Sequence, residues 1–176
     1  MRGADLLRQE LAAMKGRVQG WSRAKKLAAF AGGTGRVTRT LSKFPRSMWG
    51  YTRRQGNWTI TQVLWHLADQ EAHLFLRLRK ALAEPGGMVS AYDQEKWDRG
   101  LLYSKSDPLQ AKDLLLSLRR ANADLLKKTG ARAWKGRVRH PEWGVLTLEY
   151  LVGLNIWHLE HHLAQMGRRF QEWKAR

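Results

Sequence analysis

The chain has 176 residues, with 32 Lys+Arg against 15 Asp+Glu, a formal net charge of +17 and nine tryptophans. That length builds one domain with a full hydrophobic core, and its aromatic content excludes a disordered chain. The absence of cysteine excludes disulfides, a cysteine zinc site and any thiol nucleophile of its own. No apolar run approaches the roughly 20 residues of a membrane span, and residues 1–10 hold no apolar core of a secretion signal. The expectation is therefore a cytoplasmic protein, mostly helical.

In chain order, Leu7, Leu11, Met14 and Val18 repeat at helical spacing over residues 4–19, a stretch weakened by Gly16 and Gly20. Gly32-Gly33-Thr34-Gly35 marks a break, after which a helix capped by Thr34 is expected to run to Phe44 and stop at Pro45. As a phosphate cradle the glycine run lacks both the glycine spacing and the Gly-Lys-Ser/Thr step. Thr59-Ile60-Thr61-Gln62 is a capping box. From it an apolar stripe runs through Val63, Leu64, Leu67, Leu74, Leu78 and Leu82 to Glu84-Pro85-Gly86-Gly87. Residues 88–106 read as a long loop in which Tyr92, Asp93 and Trp97 pack on the helices. Asp107 caps a further helix with Pro108 at its first position and Gly130 after its last turn. A second loop, His140-Pro141-Glu142-Trp143-Gly144, precedes a last helix opened by Thr147 and running toward Trp173. No strand series is evident. The expected fold is all-α: a four-helix bundle over residues 31–176 behind a basic helical extension over residues 1–30.

Five of the six histidines fall in the two best-defined helices. His158 and His162 are four residues apart and leave one helix face a turn apart, the spacing at which one helix offers two imidazoles to one ion. His161 points about 60° away from His158. His66, on the apolar side of the capped helix, can face such a pair across a bundle, and metal sites in bundles are built from inward side chains on facing helices. Three neutral imidazoles leave coordination positions open, as catalytic sites require. His73 shares the face of His66 two turns on and is a candidate for substrate contact. Glu71 lies inside the apolar stripe, where an unpaired charge is costly. It orients a ligand's second nitrogen, serves as a base, or forms half of a buried pair with Arg119 or Arg120.

These residues also carry a family resemblance. Trp58-Thr59-Ile60 followed by Val63-Leu64-Trp65-His66-Leu67-Ala68-Asp69 and Glu71 resembles the hallmark of the DinB/YfiT-like superfamily of metalloenzymes. So do Tyr92-Asp93 with Trp97, Arg119-Arg120, the His140–Gly144 loop, and His158-x-x-His161-His162-x-x-Gln165, in that order, across about residues 33–170. The resemblance implies a four-helix bundle, often a homodimer, with a divalent metal, zinc or nickel, on His66, His158 and His162; His161 matches a non-ligating histidine. It further implies a transferase or isomerase using a low-molecular-weight thiol, or a hydrolase.

A divalent ion on neutral imidazoles deprotonates a bound water or thiol near neutral pH. Bacterial low-molecular-weight thiols are acidic or zwitterionic, and a basic surface steers anions. The rival reading is a non-enzymatic protein. Residues 1–55 hold 13 basic and two acidic side chains, a net +11, with Trp21, Trp49 and Tyr51 among them. Such a stretch fits nucleic acid or an anionic surface.

Overall fold

The structure is a computed structural model that describes residues 18–53 and 56–176. The helix expected over residues 4–19 lies, up to residue 17, outside that range. Four long helical segments make the bundle. The first is α1 (Arg23–Ala31) followed by α2 (Gly33–Leu41); the others are α3 (Ile60–Ala83), α5 (Pro108–Lys128) and α6 (Leu148–Lys174). A short α4 (Gln94–Gly100) and a hairpin, β1 (Arg137–His140) with β2 (Gly144–Thr147), decorate it. Among the described residues, no helix is long and apolar enough to cross a membrane.

The bundle's first helix begins at Arg23, within the stretch assigned above to the extension. Its cap is Ser22, whose side chain accepts from Lys25 N, and Phe30 is fully buried at its end. Gly32 breaks the helix only slightly: it keeps right-handed helical angles (φ −65°, ψ −10°), and Arg36 N donates to its carbonyl at 3.2 Å. Thr34 therefore caps nothing, and its hydroxyl turns back to Ala31 O at 3.4 Å. The glycines serve close approach instead. A Cβ built on Gly33 would lie 2.9 Å from both Arg119 Cζ and Leu159 Cδ2. The Gly33→Ala variant is therefore expected to lose about 1–3 kcal/mol in denaturant unfolding, the cost of overpacking.

The other helix starts form as the sequence dictates. Thr59 Oγ1 accepts from Gln62 N at 3.2 Å while Gln62 Oε1 accepts from Thr59 N at 2.9 Å, completing the box. Thr61 donates from N and Oγ1 to Trp49 O at 3.1 and 3.2 Å, which fastens the start of α3 to the preceding segment. Asp107 Oδ1 accepts from Leu109 N, and Thr147 Oγ1 from Tyr150 N. Each cap satisfies backbone donors that the first helical turn leaves open.

Two connections hold more structure than their sequence suggested. Within residues 88–106, Asp93 Oδ1 accepts from Glu95 N and Lys96 N and starts α4, and Gln62 Nε2 donates to Asp98 at 2.9 Å. Seven residues are too few for a periodic apolar stripe, so α4 exists through its cap and its docking. The loop centred on His140–Gly144 closes an antiparallel hairpin, with Arg137 opposite Thr147 and His140 opposite Gly144. Gly144, at φ +70°, supplies the left-handed turn residue. Val138 and His140 face inward while Arg137 and Arg139 face out. Strands of four residues carry too little alternation to stand out, and an isolated pair is stable only when packed.

One buried ion pair ties the frame. Arg119 Nη1 donates to Glu71 Oε2 at 2.9 Å and its Nε to Phe30 O at 3.2 Å, while Asn122 Nδ2 donates to Glu71 Oε1 at 2.9 Å. Glu71, Arg119 and Asn122 are all buried. The pair joins α1, α3 and α5.

Candidate metal centre

The capping box places His66 near the start of α3, and the long α6 carries His158 and His162 a turn apart. The fold brings these three imidazoles together. His66 Nε2 lies 3.0 Å from His158 Nε2, and His162 Nε2 lies 3.1 Å from His158 Nε2. The three rings have one nitrogen each within 4.8 Å of the others, the arrangement needed to hold one metal ion.

Their chemistry fits a cation. Burial, with His162 adding to it, holds His66 well below the ordinary histidine value. Burial and the neighbouring imidazoles do the same to His158. Burial pushes His162 down to about 4 against the opposing hydrogen bond to Gln165. All three are therefore neutral at pH 7. His162 Nδ1–H donates to Gln165 Oε1 at 2.9 Å, which leaves the Nε2 lone pair aimed at the cluster. Three neutral rings cannot place protons between every pair of nitrogens, so lone pairs face one another. Two nitrogens bound to one zinc at about 2.1 Å sit roughly 3.0–3.4 Å apart, the spacing seen here.

The depressed values set a pH dependence. In the unfolded chain histidine takes its proton near pH 6.5, whereas folded His162 takes it only near 4. Between those values the unfolded chain binds more protons, so stability is full above about pH 6.5 and falls as pH drops toward 4. For His162 alone the loss is about 3 kcal/mol, and the other two rings act in the same direction. Urea unfolding of metal-free protein at pH 7 and pH 4.5 is expected to show the drop; equal midpoints would contradict it.

The cluster forms part of the wall of a cavity of about 540 Å³. Asn57, Trp58, Gln70, Tyr92, Glu142, Trp143, Trp157, His161 and Gln165 also line it. Tyr92 Oη donates to Gln70 Oε1 at 3.1 Å, and its ring stacks on His73 at 4.3 Å. His73 thus supports the wall rather than lining it. His161 stands in the cavity beside the triad, 5.3 Å from the Trp157 ring. Glu71 does not line the cavity, and both its oxygens are taken by Arg119 and Asn122.

Buried Arg77 went unnoticed in the sequence. Its Nη2 donates to Ser90 O at 2.7 Å and lies 3.3 Å from His140 Nε2. It thereby clamps the segment leading to Tyr92 and the hairpin carrying Glu142 and Trp143. The one available signal was its spacing, since His66, Gln70, His73 and Arg77 recur at helical steps. Of the aromatics set among basic residues, Trp49 is buried under Arg46, Tyr51 lies under Arg176, and Trp21 carries Lys25 at 4.2 Å.

Known proteins resemble this chain in sequence and fold. YfiT of Bacillus subtilis, named as a candidate metal-dependent hydrolase, is 32% identical over 114 residues, 64% of this chain and 64% of its own. A protein of Oceanobacillus iheyensis with the same description is 31% identical over 114 residues, 64% of this chain and 65% of its own. The chain thus spans about 65% of the length of these relatives. The solved structure of Bacillus subtilis YfiT, described as an unusual four-helix bundle, superposes with a TM-score of 0.79 at 25% identity, covering 86% of this chain and 87% of that one. A mycothiol-dependent maleylpyruvate isomerase shares the fold at a TM-score of 0.67 and 16% identity, covering 84% and 61%. The family model of the DinB superfamily matches residues 29–166, and the chain belongs to that superfamily.

Proposed function

We propose that this chain is a divalent-metal enzyme that transfers a low-molecular-weight thiol to a small electrophile. His66, His158 and His162 are its metal ligands. The observation carrying this reading is the convergence of three neutral imidazole nitrogens, 3.0 and 3.1 Å apart, on the wall of one cavity. When bound, a zinc or nickel ion supplies positive charge that lowers the pKa of a thiol or water placed on it. The chain's own residues do the rest. Gln165 holds the His162 tautomer. Trp58 packs its ring 5.0 Å from His66 and shields that ligand from water. Tyr92 and Gln70 form a hydrogen-bonded pair on the wall that orients whatever enters.

The absence of cysteine means that a thiol must come from outside. Water as the nucleophile is the second reading, favoured by the description of the curated relatives as candidate hydrolases. We assign Glu71 to the frame rather than to proton transfer, since it does not line the cavity and its two oxygens accept from Arg119 and Asn122. The experiment is metal analysis of untagged protein, with turnover of cysteine as model thiol on monochlorobimane set against hydrolysis of a phenyl ester. About one zinc or nickel per chain and faster bimane conjugation are expected; a metal-free protein with neither activity would overturn the reading.

A further inference from the structure

The cavity has the opposite polarity to the molecule around it. The chain carries 32 Lys+Arg, yet among the described residues none lines the cavity, whereas Glu95 and Glu142 do. Both carboxylates are exposed, and among the described residues neither has an ion pair within 4.0 Å. Arg77, whose charge reaches Glu142, is buried behind the wall on Ser90 O and does not line the cavity.

The remaining surface is aromatic. Trp58, Tyr92, Trp143 and Trp157 line the same space. Each rests against a histidine ring: Trp58 on His66 at 5.0 Å, Tyr92 on His73 at 4.3 Å, Trp143 on His140 at 4.6 Å, Trp157 on His161 at 5.3 Å. Aromatic walls with carboxylates, and with no lysine or arginine among the described lining residues, recognise an organic ammonium through the ring quadrupoles and direct charge attraction. In the metal-free protein a dianion meets repulsion from the two glutamates.

We propose that the substrate or co-substrate taken by this cavity bears a protonated amine or quaternary ammonium group, held between these aromatic rings and Glu95 and Glu142. The proposal names the substrate class of the metal centre proposed above and rests on that reading for the chemistry, but the ammonium subsite consists of protein alone.

Calorimetric titration of the full chain tests it, on chelator-stripped and on nickel-loaded protein, with choline, its uncharged tert-butyl isostere and malate as probes. Choline is expected to bind at least about tenfold more tightly than the isostere, and malate more weakly than either. The Glu95→Gln/Glu142→Gln double variant, altered only at exposed positions, is expected to bind choline no better than the isostere. Equal affinity for choline and isostere, no binding of choline, or preference for malate would each overturn the proposal. So would a double variant that keeps choline, or one that loses nickel with choline unchanged, since the carboxylates would then serve the ion. Choline preference in stripped protein that takes up no nickel would leave this proposal standing and sink the metal reading; nickel uptake without choline preference would do the reverse.

Discussion

The His66→Ala variant is expected to lose its metal. His66 supplies one of three converging nitrogens and is the only one of them contributed by α3, so no neighbour on its helix replaces it. Removing an outer partner of a ligand costs ten- to a hundredfold in affinity; removing a ligand is expected to cost at least about a thousandfold, about 4 kcal/mol. The Gln165→Ala variant provides the contrast, because it frees the His162 tautomer without removing a nitrogen, and is expected to fall in the lower range. Competition titrations with a chromophoric chelator measure both. Folding is expected to survive in the His66→Ala variant, since His158 Nε2, which loses His66 Nε2 as a neighbour, keeps His162 Nε2 at 3.1 Å. An unchanged metal affinity would remove His66 from the site.

Glu71 tests the frame. In the Glu71→Ala variant Arg119, 1% exposed, loses the only carboxylate among the described residues within 4.0 Å. An uncompensated buried charge is expected to cost about 3–5 kcal/mol, or roughly 10 °C in Tm for a chain of this length. The paired Glu71→Leu/Arg119→Met variant is expected to recover most of that loss, because exchanging a whole buried pair for apolar side chains is close to neutral. A Glu71→Gln variant that keeps wild-type Tm while turnover collapses would return the residue to catalysis. Thermal unfolding and turnover measured together decide between these outcomes.

Local rules and long-range closure contributed differently to this molecule. Helix starts are local events in which a short polar side chain competes with water for open backbone donors, so Thr59, Asp107 and Thr147 were legible by themselves. The pairing of His158 with His162 was legible for the same reason, since a helix fixes which positions share a face. Gly32 and Gly33 show where local rules stop. As a sequence they read as a break, but in the structure Gly32 keeps helical angles, and the missing Cβ of Gly33 makes room for Arg119 and Leu159 of other helices. The sequence left Glu71 a choice of Arg119 or Arg120 as ion partner, and α5 places Arg119 and Asn122 beside it.

The amino-acid sequence by itself determined the three long helices α3, α5 and α6 with their caps, the family and the histidines available to a metal, because periodicity and capping act within a few residues. Only the tertiary structure decided that His66 meets the pair from α6, that a hairpin of two four-residue strands and α4 complete the cavity, and that a strongly basic chain lines that cavity with glutamates and aromatic rings. Those outcomes depend on side chains up to about 90 residues apart, such as His66 and His158, and no pattern along one segment encodes their encounter.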